Sequence, residues 1–278
     1  MTGSSTQILT RKLRRIANEA AELPGLNLIA APLYRRWFAG PHKQANIYCG
    51  IFDSFEAAKA AAPPTRPNHY DVDDTARMYR DRFDSIRVSD YPLVHWISRL
   101  LQQGCRSLFD LGGHTGVSYY GFQRYVDYPA DLKWLIHDTD AAVKAGRKIA
   151  TELDLSGRLS FSERREDADG KDILLTTGVL QYLDYTLADL LRGLTSPPPH
   201  VLVNLTPMHP QQTFFTLQHI GIAICPYRVS SVKEFVASME AVGYEVVDRW
   251  ESYERQLRVP FAPEYAIDRY YGFYFRRR

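Results

Sequence analysis

The sequence predicts an α/β fold: a doubly wound sheet of seven strands with helices on both faces, behind an N-terminal helical extension. Three observations carry that expectation. From Gly104 onward, short apolar runs alternate with helical stretches of about a dozen residues, the rhythm of a parallel sheet covered by its own crossover helices. The first of those runs empties into a turn holding three closely spaced glycines, Gly112, Gly113 and Gly116. Between the last two runs no strongly periodic crossover helix fits, which predicts an antiparallel final pair.

The elements follow in chain order. Residues 6–22 have the periodicity of a basic amphipathic helix, and the prolines and glycines between Pro24 and Pro41 break it. "DSFEAAKAAA" at 53–62 opens with Asp53, placed to cap a helix, and "PPTRP" at 63–67 ends it as a stiff linker. From Thr75 to Leu101 the pattern is helical again, so residues 1–103 form the extension, suited to act as a lid, and 104–278 the sheet domain. Strands are expected at 107–111, 132–137, 159–162, 172–177, 200–205, 244–252 and 270–276, with helices at 116–127, 141–154, 185–194 and 231–242. Ser230 or Ser231 caps the last helix and Gly243 stops it. The stretch from Thr213 to Tyr227, with Phe214, Phe215 and Tyr227, reads either as an aromatic insertion over a pocket or as core beneath a long connection.

Composition bounds the function. At 278 residues and 45% hydrophobic the chain can bury a sizeable core. Its net charge of +2 is unevenly spread: residues 1–43 hold seven Lys or Arg against two acids, a balance of +5, and the remainder 27 against 30, or −3. Arg11, Lys12, Arg14 and Arg15 lie beside Ile8, Leu9, Leu13 and Ile16, a pattern that suits weak peripheral contact with an anionic membrane, or else a helix packed on the sheet domain. Nucleic acid is not expected as a partner, since the basic excess is confined to the N-terminal forty-odd residues. Three cysteines far apart imply a reducing compartment, and scattered histidines predict no metal site. Apolar runs such as "LNLIAAPL" are too short to span a bilayer, and the N-terminus lacks the apolar core of a secretion signal, so a cytoplasmic location is expected.

A doubly wound sheet binds its ligand at the carboxyl ends of its strands, near the point where strand order reverses. Gly112, Gly113 and Gly116 let a ligand lie against bare backbone there. Counted from Leu111, only Gly113 and Gly116 match the dinucleotide spacing G-x-G-x-x-G, two of three, which disfavours NAD. Asp110 before the turn suits a ligand bearing a cationic amino group. Asp138, ending the second strand, is placed to accept hydrogen bonds from both hydroxyls of an adenosine ribose, and Asp140 to cap the next helix. In "DILLTTGVLQYL" the turn at Thr177 and Gly178 faces the ligand from the other side, with Gln181 and Tyr182 within reach of substrate, unless Leu180, Tyr182 and Leu183 simply pack.

These pieces, in this order, resemble the class I S-adenosylmethionine-dependent methyltransferases, and more narrowly a methyltransferase family met in bacterial surface-polysaccharide gene clusters. The resemblance runs from about Tyr48 to the C-terminus through "GIFDSFEAAKAA", Tyr70 and Asp71, "DLGGHTGVSYY", "WLIHDTDAAVKAG", "LLTTGVLQYL", "NLTP" and "CPYRVSS". It implies a Rossmann-like sheet, S-adenosyl-L-methionine as cofactor, and O-methylation of a sugar or glycan intermediate. By the same resemblance Asp110, Gly112 and Gly116, with Gly113 and His114 in their turn, hold the methionine part. Asp138 and Thr139 hold the ribose, Ser162 and Glu163 the adenine side, and Thr177, Gly178 and Leu180 the other wall. His114 stands where many relatives carry a middle glycine, and Asn204 and Leu205 where they often show a charged pair. A sugar hydroxyl has a high pKa, so a base is wanted. His209 ranks first, since the end of the fifth strand faces the substrate side; His114 and His219 follow, the last on a predicted helix among apolar neighbours. Two readings stand beside this one: a silent scaffold of the same fold that binds a partner enzyme, and, more weakly, an NAD-dependent oxidoreductase.

Overall fold

The computed structural model describes residues 25–69, 83–154 and 156–278. The basic helix expected at 6–22, Tyr70 and Asp71, and the start of the helix expected from Thr75 lie outside them.

Seven strands form where the sequence places them. They are β2 (Ser107–Leu111), β3 (Lys133–His137), β4 (Leu159–Ser162), β5 (Ile173–Thr177), β6 (His200–His209), β9 (Tyr244–Ser252) and β10 (Tyr270–Arg277). Their order is β4-β3-β2-β5-β6-β10-β9, the first five parallel and β10 antiparallel to both neighbours. Strand order therefore reverses between β2 and β5, and the final antiparallel pair is present as expected. This is the Rossmann-like sheet anticipated above.

Alternate residues of the central strands enter different cores. Leu108, Trp134 and Ile136 pack with α3 (Tyr91–Gln102) and α4 (Val117–Phe122). Phe109, Leu111 and Leu174 pack with α6 (Leu187–Arg192) and α7 (Val232–Ala241). Burial on both faces is why these strands read as continuous apolar runs. Between β3 and β4 runs α5 (Asp140–Leu153), whose N-cap is Thr139, so Asp140 is its first residue and not its cap. Ser231 caps α7 by accepting from the Glu234 N–H.

Three further strands exceed the expected seven. β1 (Ala45–Phe52), β7 (Phe214–Ile220) and β8 (Ile224–Ser231) form an antiparallel set, joined to the main sheet where Met208 and His209 at the end of β6 pair in parallel with Ser230 and Ser231. The aromatic stretch from Thr213 is thus mostly a hairpin. Phe214 and Tyr227 pack with Tyr48 and Tyr270 on one face, while Leu217 meets Phe38 and Cys49 on the other. Two covered faces leave no polar alternation to betray a strand. His219, expected on a helix, lies on β7 and stacks on His42 with ring centroids 4.4 Å apart.

The extension is accordingly not all helical. Helix α1 (Asn27–Phe38) forms across the segment expected to break, with Pro32 inside it. One lost intrahelical donor is offset where Phe38 is buried and the Tyr34 hydroxyl donates to the Tyr48 carbonyl at 2.8 Å. Helix α2 (Phe55–Ala60) is capped by Ser54 and not by Asp53: the Ser54 hydroxyl accepts from Ala57 N–H at 3.0 Å. Residues 83–87 are not helical, and α3 begins only at Tyr91, after a single 3-10 turn at Val88–Asp90.

Candidate active site

At the reversal point the chain leaves β2 through a turn that takes left-handed backbone at Gly112, His114 and Gly116. Gly112 has φ +77° and Gly116 φ +103°, and a Cβ on Gly112 would stand 2.5 Å from the Cβ of Val179. His114, in the middle-glycine position, also takes a left-handed φ of 55°, a conformation that costs an L-residue about 1–2 kcal/mol. Two hydrogen bonds hold the turn against the end of β3, and a third fixes the Asp138 carboxylate that receives one of them. Gly112 N–H donates to the His137 carbonyl at 2.7 Å, and Asp138 accepts from His114 N–H at 2.9 Å and from Thr139 N–H at 2.7 Å.

Beside this turn lies a cavity of about 450 Å³. It is lined by Gly112, Gly113, His114, Asp138, Thr139, Thr177, Gly178 and Tyr182, together with Phe55 and Lys59 of α2, His69, Arg87, Asp90, Cys225 and Pro226 of β8, and Arg255. Residues from the first 103 thus build a wall of the cavity. The expected ribose carboxylate, the turn glycines and the Thr177–Gly178 wall come together here.

Other expected residues do not reach it. Asp110 is fully buried beneath the turn, with its carboxyl group packed under Gly113. One carboxylate oxygen accepts from the Trp134 indole N–H at 3.1 Å, and Oδ1 has no partner among the described residues. Loss of water pushes its pKa up to about 7; the Trp134 bond opposes the rise and Asp138 adds to it. Asp110 therefore does not line the cavity. Gly116 starts α4, where the Tyr120 ring occupies the space of a Cβ. Leu180 and Gln181 are buried, and Gln181 Nε2 donates to the Gly178 carbonyl at 2.7 Å, bracing that turn. Ser162 hydrogen-bonds Asp167 and accepts from Arg164 N–H, and Glu163 pairs with Arg147 at 3.0 Å, so neither lines the cavity.

His209 is also outside. β6 runs past its last pairing with β5, at Asn204, and carries the ring away from the cavity. There Nδ1 accepts from the N–H groups of Gln211 and Gln212 at 3.2 and 3.3 Å. Those two donors fix the tautomer, so Nε2 carries the proton and donates to the Glu264 carbonyl at 3.1 Å. Both nitrogens are committed, and the ring cannot serve as a base for anything in the cavity. Tyr182 does line the cavity, but its hydroxyl donates to Gln218 Oε1 at 2.6 Å.

Sequence reasoning missed Asp90. Its Oδ2 accepts from Arg87 N–H at 2.9 Å and its Oδ1 from Asn204 Nδ2 at 3.1 Å, while Asn204 Oδ1 accepts the Trp250 indole N–H at 2.9 Å. The indole orients the amide, and the amide orients the carboxylate at the cavity wall. Asn204 is fully buried. Asn204→Leu strands the indole N–H and removes one donor to the Asp90 carboxylate, and should lower stability by about 1–3 kcal/mol, read as a shift in urea midpoint at unchanged slope. The only sequence signal for Asp90 is its place two residues before Pro92, at a helix start.

No protein-family model matches the chain, and no curated protein matches it in sequence. Its fold is similar to solved structures of methyltransferases. One is the 1,6-didemethyltoxoflavin-N1-methyltransferase of Burkholderia thailandensis with bound 1,6-didemethyltoxoflavin and S-adenosylhomocysteine, at 15% identity over 73% of this chain and 82% of that one, TM-score 0.45. A second is the magnesium protoporphyrin IX methyltransferase of Synechocystis PCC 6803 with bound SAM, at 11% identity over 75% and 93%, TM-score 0.48. A third is an S-adenosylmethionine-dependent methyltransferase of Mesorhizobium loti, at 14% identity over 68% and 98%, TM-score 0.45. What defines the fold of this chain is its own strand order.

Proposed function

We propose that this chain is an S-adenosylmethionine-dependent methyltransferase that acts on a hydroxyl of a small polyhydroxylated acceptor, a sugar or glycan intermediate. The observation that carries the reading is the cavity at the reversal point, where the bare Gly112–Gly113 turn, the Asp138 carboxylate and the Thr177–Gly178 turn face one space.

The residues fit such a cofactor. The glycine turn borders the cavity, and each Asp138 oxygen keeps a lone pair for a ribose hydroxyl after accepting its backbone N–H. When bound, the cofactor supplies an already activated methyl group. What remains for the chain is to bind, orient and keep water out. Residues of α2, the 85–90 segment and β8 complete the lining. Asp90, held by Asn204 and Arg87 N–H, is the carboxylate placed to take an acceptor's proton. His69, Asp90, Asp184 and Arg255 give the lining the mixed donors and acceptors that a polyol needs.

Titration calorimetry tests the cofactor. S-adenosylmethionine and S-adenosylhomocysteine should bind with comparable affinity and NAD should not; binding of NAD alone, or of none of the three, would overturn the reading. Asp138→Ala should weaken S-adenosylmethionine binding by about 1.5–3 kcal/mol, the range for hydrogen bonds to a charged group. A folded variant with parental affinity would remove Asp138 from the site.

A further inference from the structure

We propose that α1 is an interfacial helix that docks the chain on anionic lipid membranes. The helix turns Phe38 into the core and Tyr34 toward β1, and presents Leu28, Ile29 and Leu33 outward at 78%, 67% and 63% exposure. At about 100° per residue Ile29 and Leu33 share one stripe with Leu26 and Trp37, which are 53% and 42% exposed, while Leu28 stands to its side between Arg35 and Arg36. Arg35 and Arg36 occupy the last turn and Lys43 follows; residues 25–43 contain no acid at all.

The charge decides between occupants. A second copy packed face to face would bring Arg35 and Arg36 of both helices together if the helices were parallel, and would set them over the other helix's acid-free first turn if antiparallel, with no carboxylate to meet them in either case. An anionic membrane surface complements both features: the leucines and isoleucine enter the acyl boundary, the arginines meet headgroups, and a tryptophan sits well at that boundary. Among the described residues no helix is long and apolar enough to cross a membrane, so this contact lies in the interface plane. Each base near such a surface contributes about 1 kcal/mol, and salt screens it, so binding is reversible.

Vesicle flotation of the full chain tests the proposal. The parent should float at low salt with vesicles of phosphatidylcholine mixed with phosphatidylglycerol, and not with phosphatidylcholine alone. The triple change Leu28→Ser, Ile29→Ser, Leu33→Ser should lower partitioning more than about tenfold, as should Arg35→Glu with Arg36→Glu. Both variants alter exposed positions, and each is to be checked for parental thermal unfolding. Equal flotation of parent and either folded variant overturns the proposal, as does equal binding to neutral vesicles or no binding at all. A parent that dimerises in sedimentation and loses the dimer in the triple variant, without vesicle binding, assigns the face to a second copy instead. None of these readouts depends on the cofactor, so this inference and the methyltransferase reading fail separately.

Discussion

Replacing Asp110 by asparagine is expected to stabilise the chain above neutral pH by at most about 4 kcal/mol, the cost of ionising a carboxyl whose pKa burial has raised from 3.8 to about 7. The folded state holds this proton more tightly than the unfolded chain. Its stabilising effect is therefore fully present below about pH 4, declines as pH rises from about 4 to about 7, and is gone above that. Asparagine has no proton to lose, so the variant's stability should lack this decline. The indole N–H of Trp134 keeps an acceptor in the amide oxygen, and the NH₂ takes the place of the partnerless oxygen. Urea denaturation at a series of pH values reads the difference. Parallel curves for parent and variant would show that Asp110 does not ionise in this range.

Gly112→Val should cost about 2–5 kcal/mol, from a left-handed backbone that a branched residue resists and from overpacking against a fixed neighbour. The neighbour is Val179, whose Cβ and Cγ atoms would lie 2.5 to 2.6 Å from the new Cβ. Val179 belongs to the turn after β5 and lies directly against Gly112, so relief of the clash pushes the turns after β2 and β5 apart where both border the cavity. S-adenosylmethionine binding should be lost in any fraction that folds. Gly112→Ala carries the same backbone strain with a smaller side chain and gives a measurable value if the valine variant does not fold. Parental stability together with parental affinity in the alanine variant would place the ligand elsewhere.

Much of the sheet is legible in the residues themselves. β2, β3 and β5 are short apolar runs because both their faces are covered, and the glycines after β2 announce a turn that needs positive φ. Asp138, standing next after β3, could be placed at the carboxyl edge of the sheet without coordinates. The set formed by β1, β7 and β8 could not, since β1 pairs with β7 across more than 160 residues of chain, and no local pattern records such a partner. Helix α1 was hidden by Pro32, a strong local breaker outweighed by the packing of Phe38.

The site divides in the same way. Local chemistry by itself determined the class of fold, the glycine turn and the acid beside it, because helix and strand periodicity and turn preference act over a few residues. Only the tertiary structure decided what each polar group does. Asp110 lost its water because Gly113 covers it and Trp134 lies against it; His209 was drawn off by Gln211, Gln212 and Glu264; Asp90 reached the cavity wall through Asn204, 114 residues away. Desolvation and hydrogen bonding depend on which distant groups fold around an atom, and those neighbours exist only once the chain has closed on itself.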